Sequence, residues 1–220
     1  MANLVEDVAA TAEARPDAPA VSFRDRTWSY EEFWGETGRL ARALADHGVD
    51  AGDRVGLYLP NLPQYVTGFH ATLRAGGVVV PMNPQYKSRE IGHLLSDSGA
   101  TVVVTLAALA PMVAAVEDET DVEHVVAVGA EEPDERPDVA TSYREFLASA
   151  DGELDTVDRA DDDVACQPYT SGTTGQPKGV MLTHHNLAWN ARATGDLMPG
   201  GFDPDDRMLG VLPLFHIYGM

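Results

Sequence analysis

Cysteine is nearly absent from this 220-residue chain: Cys166 stands alone, which excludes an internal disulfide framework and fits a reducing cytoplasm. Lysine is almost as scarce. Lys87 and Lys178 are the only two, and the remaining 13 cations are arginines. Long apolar runs are missing too. The longest, LAALAPMVAAV (106–116), is too short to cross a bilayer and contains Pro111. The opening MANLVEDVAA has no basic patch followed by an apolar core, so no signal peptide is expected. Positive charge is in deficit as well. A net charge of −20 repels nucleic acid and anionic membrane alike, and excludes both as expected partners. These absences leave a soluble cytoplasmic protein as the expectation.

Apolar residues make up 44% of the chain, enough to bury a core, so disorder is not the default. The acids are unevenly spread: residues 117–163 hold 18 of the 35, in blocks such as EEPDERPD (131–138) and DRADDD (158–163) that read as solvated loops. Two readings of this excess compete. Salt adaptation, with carboxylates keeping the surface hydrated and arginine replacing lysine, is favoured over an acidic surface that docks a basic partner.

Helical periodicity is expected over 2–14 and again from Tyr30, where Phe33, Leu40 and Leu44 recur until Gly48. Between them, 20–30 reads as a hairpin turning at Arg24-Asp25. Strands are expected at 54–60, 78–82, 101–105, 124–129, 164–170 and 207–213, and helices at 63–76, 88–99, 106–119, 142–149 and 184–197. Short apolar strands alternating with helices imply an α/β fold, with a mostly parallel sheet covered by helices on both faces. Ligands in such folds bind at the carboxyl ends of strands. Two expected strand ends carry unusual residues: YTSGTTGQPKGV (169–180) and PLFHIYGM (213–220).

The first of these has the composition of a polyanion cradle. Gly172 and Gly175 let backbone amides approach anionic oxygens, and Thr170, Ser171, Thr173 and Thr174 add short hydroxyl donors. Lys178 supplies a mobile point charge, while Pro177 pushes Gln176 toward an extended geometry. An ordinary surface turn is the plain alternative. Neither a Walker loop nor G-x-G-x-x-G is present, because Lys178 is followed by Gly179. The pair His184-His185 reads as a helix start rather than a metal site, since adjacent helical positions diverge. Cys166 reads as a small apolar strand residue.

The stretch from Thr170 to Lys178 resembles, at each defining position, the signature loop of the adenylate-forming (AMP-binding) superfamily of acyl- and aryl-CoA ligases, adenylation domains and luciferases. TWSYEEFWGETGRLARAL (27–44), LRAGGVVVPMNPQYKSREIGHLLSDSGA (73–100) and LPLFHIYGM (212–220) are similar to further blocks of the family, the second in the form common among fatty-acyl- and aryl-CoA ligases, so that the chain most resembles a long-chain fatty acid–CoA ligase. The resemblance implies the incomplete N-terminal domain of the adenylate-forming fold. Its expected parts are a first α/β half (1–116), an acidic connecting region (117–163), and a phosphate loop with the start of an acyl-pocket region (164–220), the C-terminal domain being absent.

It further implies a carboxylate, ATP and coenzyme A as substrates, with Mg2+ bound mostly by ATP oxygens and water. Lys178 is then catalytic, and Thr170, Ser171, Gly172, Thr173, Thr174, Gly175, Gln176, Pro177 and Lys178 bind phosphate. His216 and Tyr218 line the acyl pocket, and no protein metal ligand is assigned. Gln167 departs from the apolar residue usual before the loop and is expected to need a partner. The apolar FHIYGM is expected to be covered by more protein, a C-terminal half encoded downstream. The alternatives are a non-catalytic nucleotide-binding or interaction remnant, an aryl-CoA ligase, or another adenylation specificity.

The charge reading is directly testable. Thermal melts in dilute buffer are predicted to be broad and to sharpen as salt screens the carboxylates; full cooperativity without salt would favour the docking surface instead.

Overall fold

Helices and strands alternate as expected in the computed structural model, which describes residues 4–129, 137–170, 177–198 and 200–219. Helix α1 (Glu6–Ala14) leads into the hairpin β1 (Pro19–Phe23) and β2 (Arg26–Ser29), whose turn holds Arg24 at φ +52°. Then come α2 (Tyr30–Asp46), β3 (Arg54–Tyr58), α3 (Pro63–Arg74), β4 (Val78–Pro81), α4 (Ser88–Ser98), β5 (Ala100–Leu106), α5 (Ala110–Ala114) and β6 (His124–Val128). The remainder comprises β7 (Ala140–Ser142), α6 (Tyr143–Ala148), β8 (Val164–Cys166), β9 (Tyr169–Thr170), β10 (Lys178–Gly179), β11 (Leu182–Thr183) and α7 (His184–Leu197).

Seven strands form one sheet in the order β11-β8-β4-β3-β5-β6-β7. Every neighbouring pair is parallel except β11 with β8. The alternation of side chains across the pleat divides the core in two. Val55, Leu57, Val79, Val102, Val104, Val126 and Val128 face α2, α3 and α6, whose Leu40, Leu44, Leu73 and Phe146 are buried with them. On the other face, Tyr58, Val80, Val103, Val125 and Ala127 pack with Ile91, Leu94 and Leu95 of α4 and Val113 of α5. The acidic region 117–163 thus adds β6 and β7 to the sheet and α6 to one of its faces.

Local chemistry explains where the helices begin. Ser29 and Ser142 close capping boxes with Glu32 and Glu145, and Thr183 does so with Asn186 at the start of α7. Helix α4 ends at Gly99, which takes the left-handed conformation at φ +65°.

Three expected elements differ. The helix expected at 106–119 shrinks to α5 between two short 3-10 turns. Pro111 has no amide hydrogen to give and so sits at the start of α5, and Glu117, Asp118 and Glu119 would crowd the negative end of a longer helix. The single strand expected at 164–170 is split, because Pro168 has no N–H for the ladder: β8 stays in the large sheet and β9 leaves it to pair with β10. The strand expected at 207–213 is absent. Backbone without a neighbouring strand cannot form a ladder, and this segment runs irregular and exposed, with Met208 and Leu209 75% and 82% accessible.

A buried arginine ties the acidic region to the helices. Arg74, 5% exposed at the end of α3, donates to the carbonyls of Leu154 (2.6 Å) and Trp34 (2.9 Å). Its guanidinium lies 4.3 Å from the Trp34 ring centroid, with Glu153 at 3.8 Å. Gly38, one turn after Trp34 on α2, makes room: a Cβ there would meet the guanidinium at 2.9 Å. Leu154 N–H returns a bond to Gly38 O at 3.1 Å, and Val157 N–H one to Arg74 O at 2.9 Å. Removing the side chain leaves these two part-buried carbonyls without their donor, each at a cost of about 1–3 kcal/mol where water does not replace it. Arg74→Ala is therefore predicted to lower stability by on the order of 3 kcal/mol, read as a shift in the urea midpoint at fixed salt. A shift no larger than that of a surface Arg→Ala variant would refute this role.

Candidate active site at the carboxyl edge

Strands β3, β4 and β8 run in parallel, so their carboxyl ends share one edge of the sheet. Three features of the chain meet there. The first is a hairpin: β9 and β10 pair antiparallel, with Lys178 opposite Thr170 and Gly179 opposite Tyr169. The loop between them contains Ser171, Gly172, Thr173, Thr174, Gly175 and Gln176, which lie outside the described residues. What is described is its two ends. Thr170 and Lys178 are cross-strand neighbours at its base, both exposed, so an ammonium group and a hydroxyl project from adjacent positions.

The second feature is α4, which touches both legs of this hairpin. His93 Nε2 donates to Pro177 O at 3.0 Å, and the Tyr169 hydroxyl donates to Asp97 Oδ2 at 2.6 Å. Burial, then the bonded Asp97 carboxylate, raises the Tyr169 hydroxyl above the ordinary phenol range, so it stays protonated and donates. Gln167, the amide in an unusual place, finds its partner here: Nε2 donates to the Tyr169 oxygen at 3.1 Å. Gly179 passes close beneath it, and a Cβ at that position would meet Gln167 Nε2 at 2.5 Å.

The third feature is Asn61, in the turn after β3. Its Nδ2 donates to the carbonyls of Gly210 (3.1 Å) and Leu212 (2.8 Å), and its Oδ1 accepts from Leu214 N–H at 2.9 Å. One side chain thereby holds the irregular segment across the edge, with Leu214 and Phe215 packed against the core. His216 and Tyr218 follow immediately. Both are exposed, and their rings stack on each other at 5.8 Å with an 8° interplanar angle.

The remaining singled-out residues sit away from this edge or take no part in it. Cys166 is buried in β8, and burial pushes its thiol up to about 12, unsuited to nucleophilic attack at neutral pH. His184 and His185 open α7 and diverge: His184 is fully buried and its Nδ1 accepts from Leu4 N–H at 3.1 Å, whereas His185 is exposed. Burial lowers the His184 imidazole from its usual value, keeping it neutral. Among the described residues, no group of three or more His, Cys, Asp or Glu side chains gathers that could hold a metal ion. None of their helices is long and apolar enough to cross a membrane.

Sequence reasoning missed Asn61, His93 and Asp97. The signal for the last two was their i, i+4 spacing, which puts them on one face of α4; nothing in the sequence says that this face meets Pro177 and Tyr169, because that contact spans 72 to 84 positions.

Comparison with known proteins agrees with the fold. The chain is 30% identical to a long-chain-fatty-acid–CoA ligase of Bacillus subtilis, over 93% of this chain and 40% of that protein. It is 37% identical to a feruloyl-CoA synthase of Amycolatopsis, over 93% and 38%. A crystal structure of ATP-bound MatB from Rhodopseudomonas palustris superposes with a TM-score of 0.84 at 31% identity, covering 100% of this chain and 42% of that one. The chain thus spans about two fifths of the length of the relatives it matches. The profile of the AMP-binding enzyme family matches residues 8–220, and the chain belongs to that family.

Proposed function

We propose that this chain is the N-terminal part of an ATP-dependent carboxylate–CoA ligase, with fatty acids as the favoured substrate class. The observation that carries the proposal is the hairpin at the carboxyl edge, which sets Lys178 opposite Thr170 at the base of a Gly/Ser/Thr loop. A cation and a hydroxyl beside the start of many potential amide donors suit the β- and γ-phosphates of ATP.

The reaction runs in two displacements. A carboxylate oxygen attacks the α-phosphorus of ATP, the bond to the bridging oxygen breaks, and pyrophosphate leaves from an acyl-adenylate. The thiol of coenzyme A then loses its proton and attacks the acyl carbon, and AMP leaves. In the first step Lys178, with Thr170 and the loop residues Ser171 to Gln176, holds the departing phosphates and offsets the charge that builds on them. Pro177 directs the chain into Lys178. A magnesium ion, when bound, would be held mostly by ATP oxygens and water and would add to the charge neutralisation that Lys178 provides.

His216 and Tyr218 fit the wall of an acyl pocket through their place after the Asn61 clamp, on the same edge as the hairpin. Fatty and aryl acids both remain consistent with the relatives: the Bacillus subtilis protein is a long-chain-fatty-acid–CoA ligase and the Amycolatopsis protein a feruloyl-CoA synthase. The remainder of the ligase supplies the other nucleotide contacts and covers the apolar side chains exposed on α7 and along 208–218, among them Trp189, Leu197, Met208, Leu209 and Val211. The three divisions 1–116, 117–163 and 164–220 are then parts of one domain. The acidic surface is salt adaptation, and the lack of a membrane-spanning helix among the described residues fits a cytoplasmic enzyme.

The 220-residue chain alone is predicted to release no carboxylate-dependent pyrophosphate in a coupled assay; sustained release would show that it needs no further part of the ligase. Independently, Lys178→Ala is predicted to weaken ATP binding by at least about tenfold, the scale of one charge-assisted hydrogen bond. Calorimetry giving unchanged affinity would dismiss the phosphate role of the loop.

A further inference from the structure

We infer that His93 and Asp97 of α4 are positioning residues that brace both legs of the phosphate loop and thereby fix where Lys178 stands. The inference rests on the phosphate-binding reading of that loop, and adds to it the part of the protein that sets its geometry.

The hairpin is rooted at one end only: below Gly179 its legs continue as Val180 N–H to Pro168 O at 2.8 Å and as β11 on β8. Its ladder is two residue pairs long, and isolated two-stranded ribbons are marginal even at greater length. The side chain of Lys178 is exposed, so its position follows from its backbone. That backbone is gripped a second time from outside, by α4. The His93 Nε2–H bond falls on the carbonyl of Pro177, the residue just before Lys178. The Tyr169–Asp97 bond falls on the residue just before Thr170. Both bonds therefore act one position away from the Lys178–Thr170 pair, one on each leg. The donor His93 and the acceptor Asp97 are a single turn apart on α4, which matches the width of an antiparallel pair. The His93 ring also meets the Tyr169 ring edge-on at 6.4 Å, closing the contact between the legs.

The brace is anchored in turn. Ile91, Leu94 and Leu95, on the opposite side of the same turns of α4, are at most 1% exposed against the sheet. Gln167 extends the network back to β8, since its amide holds the Tyr169 oxygen while its own N–H continues the ladder to Val79 O at 2.8 Å. Core, helix and loop are linked by a short series of contacts, with no step longer than one hydrogen bond.

The scarcity of lysine makes the inference easy to test. A lysine-specific endoproteinase can cut this chain only after Lys87 and after Lys178. Lys87 is exposed just before α4 and serves as the internal reference. In the 220-residue chain, His93→Ala and Tyr169→Phe are expected to speed cleavage after Lys178 by about tenfold relative to Lys87, as the hairpin opens more often. His93→Gln, whose amide can still donate to Pro177 O, should restore the slow rate. Unchanged cleavage in both loosened variants overturns the brace.

Inorganic tripolyphosphate provides the functional arm. It should protect Lys178 in the parent chain, with an apparent affinity about tenfold weaker in His93→Ala and recovered in His93→Gln. Faster cleavage with unaltered tripolyphosphate affinity would reduce the two residues to structural supports and overturn the positioning role. Absence of protection in the parent chain would instead overturn the phosphate reading, while the cleavage rates would still decide whether the brace exists.

Discussion

The ladder between β8 and β4 is the joint on which the carboxyl edge depends. It is short: Cys166 lies beside Val79, and Gln167 N–H reaches Val79 O at 2.8 Å. Its strength comes from burial, for Ala165 and Cys166 are wholly inaccessible and share a core with α2 and α3. Residue 166 is thereby brought beside residue 79, and with it everything that follows. Only because β8 lies there do the hairpin legs fall against α4, and only then does the segment held by Asn61 pass over the same edge. Parallel pairing of this kind, across a long stretch of chain, is slow to form and costly in loop entropy. The capped helices and the Arg74 bridge, which gather the intervening residues, offset part of that cost.

Much of this was legible in the sequence, for identifiable reasons. The buried strands β3, β4, β5 and β6 are apolar runs between turn residues, and α2, α4 and α7 carry their caps in the residue order. The division of 164–170 was written in Pro168, but an apolar and β-branched context outweighed it in reading one strand. The strand expected at 207–213 failed for a reason no local pattern contains. Propensity can favour extended backbone there, but a partner must be present, and the neighbour that holds this segment is a side chain, Asn61. The loop composition singles out the run from Thr170 to Lys178 as an expectation, whereas the α4 groups that touch its legs were invisible, since helix spacing reveals a face and not what the face meets.

The surface has two contrasting characters. Most of it follows the acidic composition, and the ion pairs that form there, such as Arg42 with Asp46 and Arg192 with Asp7, are exposed and contribute little to folding. Against this stand α7 and the segment 208–218, which present large apolar side chains to water. A chain so charged has no shortage of polar residues to place there. The apolar patch is therefore a property of these positions, consistent with a protein that spans about two fifths of its relatives' length.

Gly179 and Gln167 hold a further implication. The amide of Gln167 lies where a side chain at 179 would begin, so a larger residue at 179 requires the Gln167 side chain to swing aside. That movement would take the Gln167 amide away from the Tyr169 oxygen. The missing side chain at 179 is thus what leaves the Gln167–Tyr169 hydrogen bond its room.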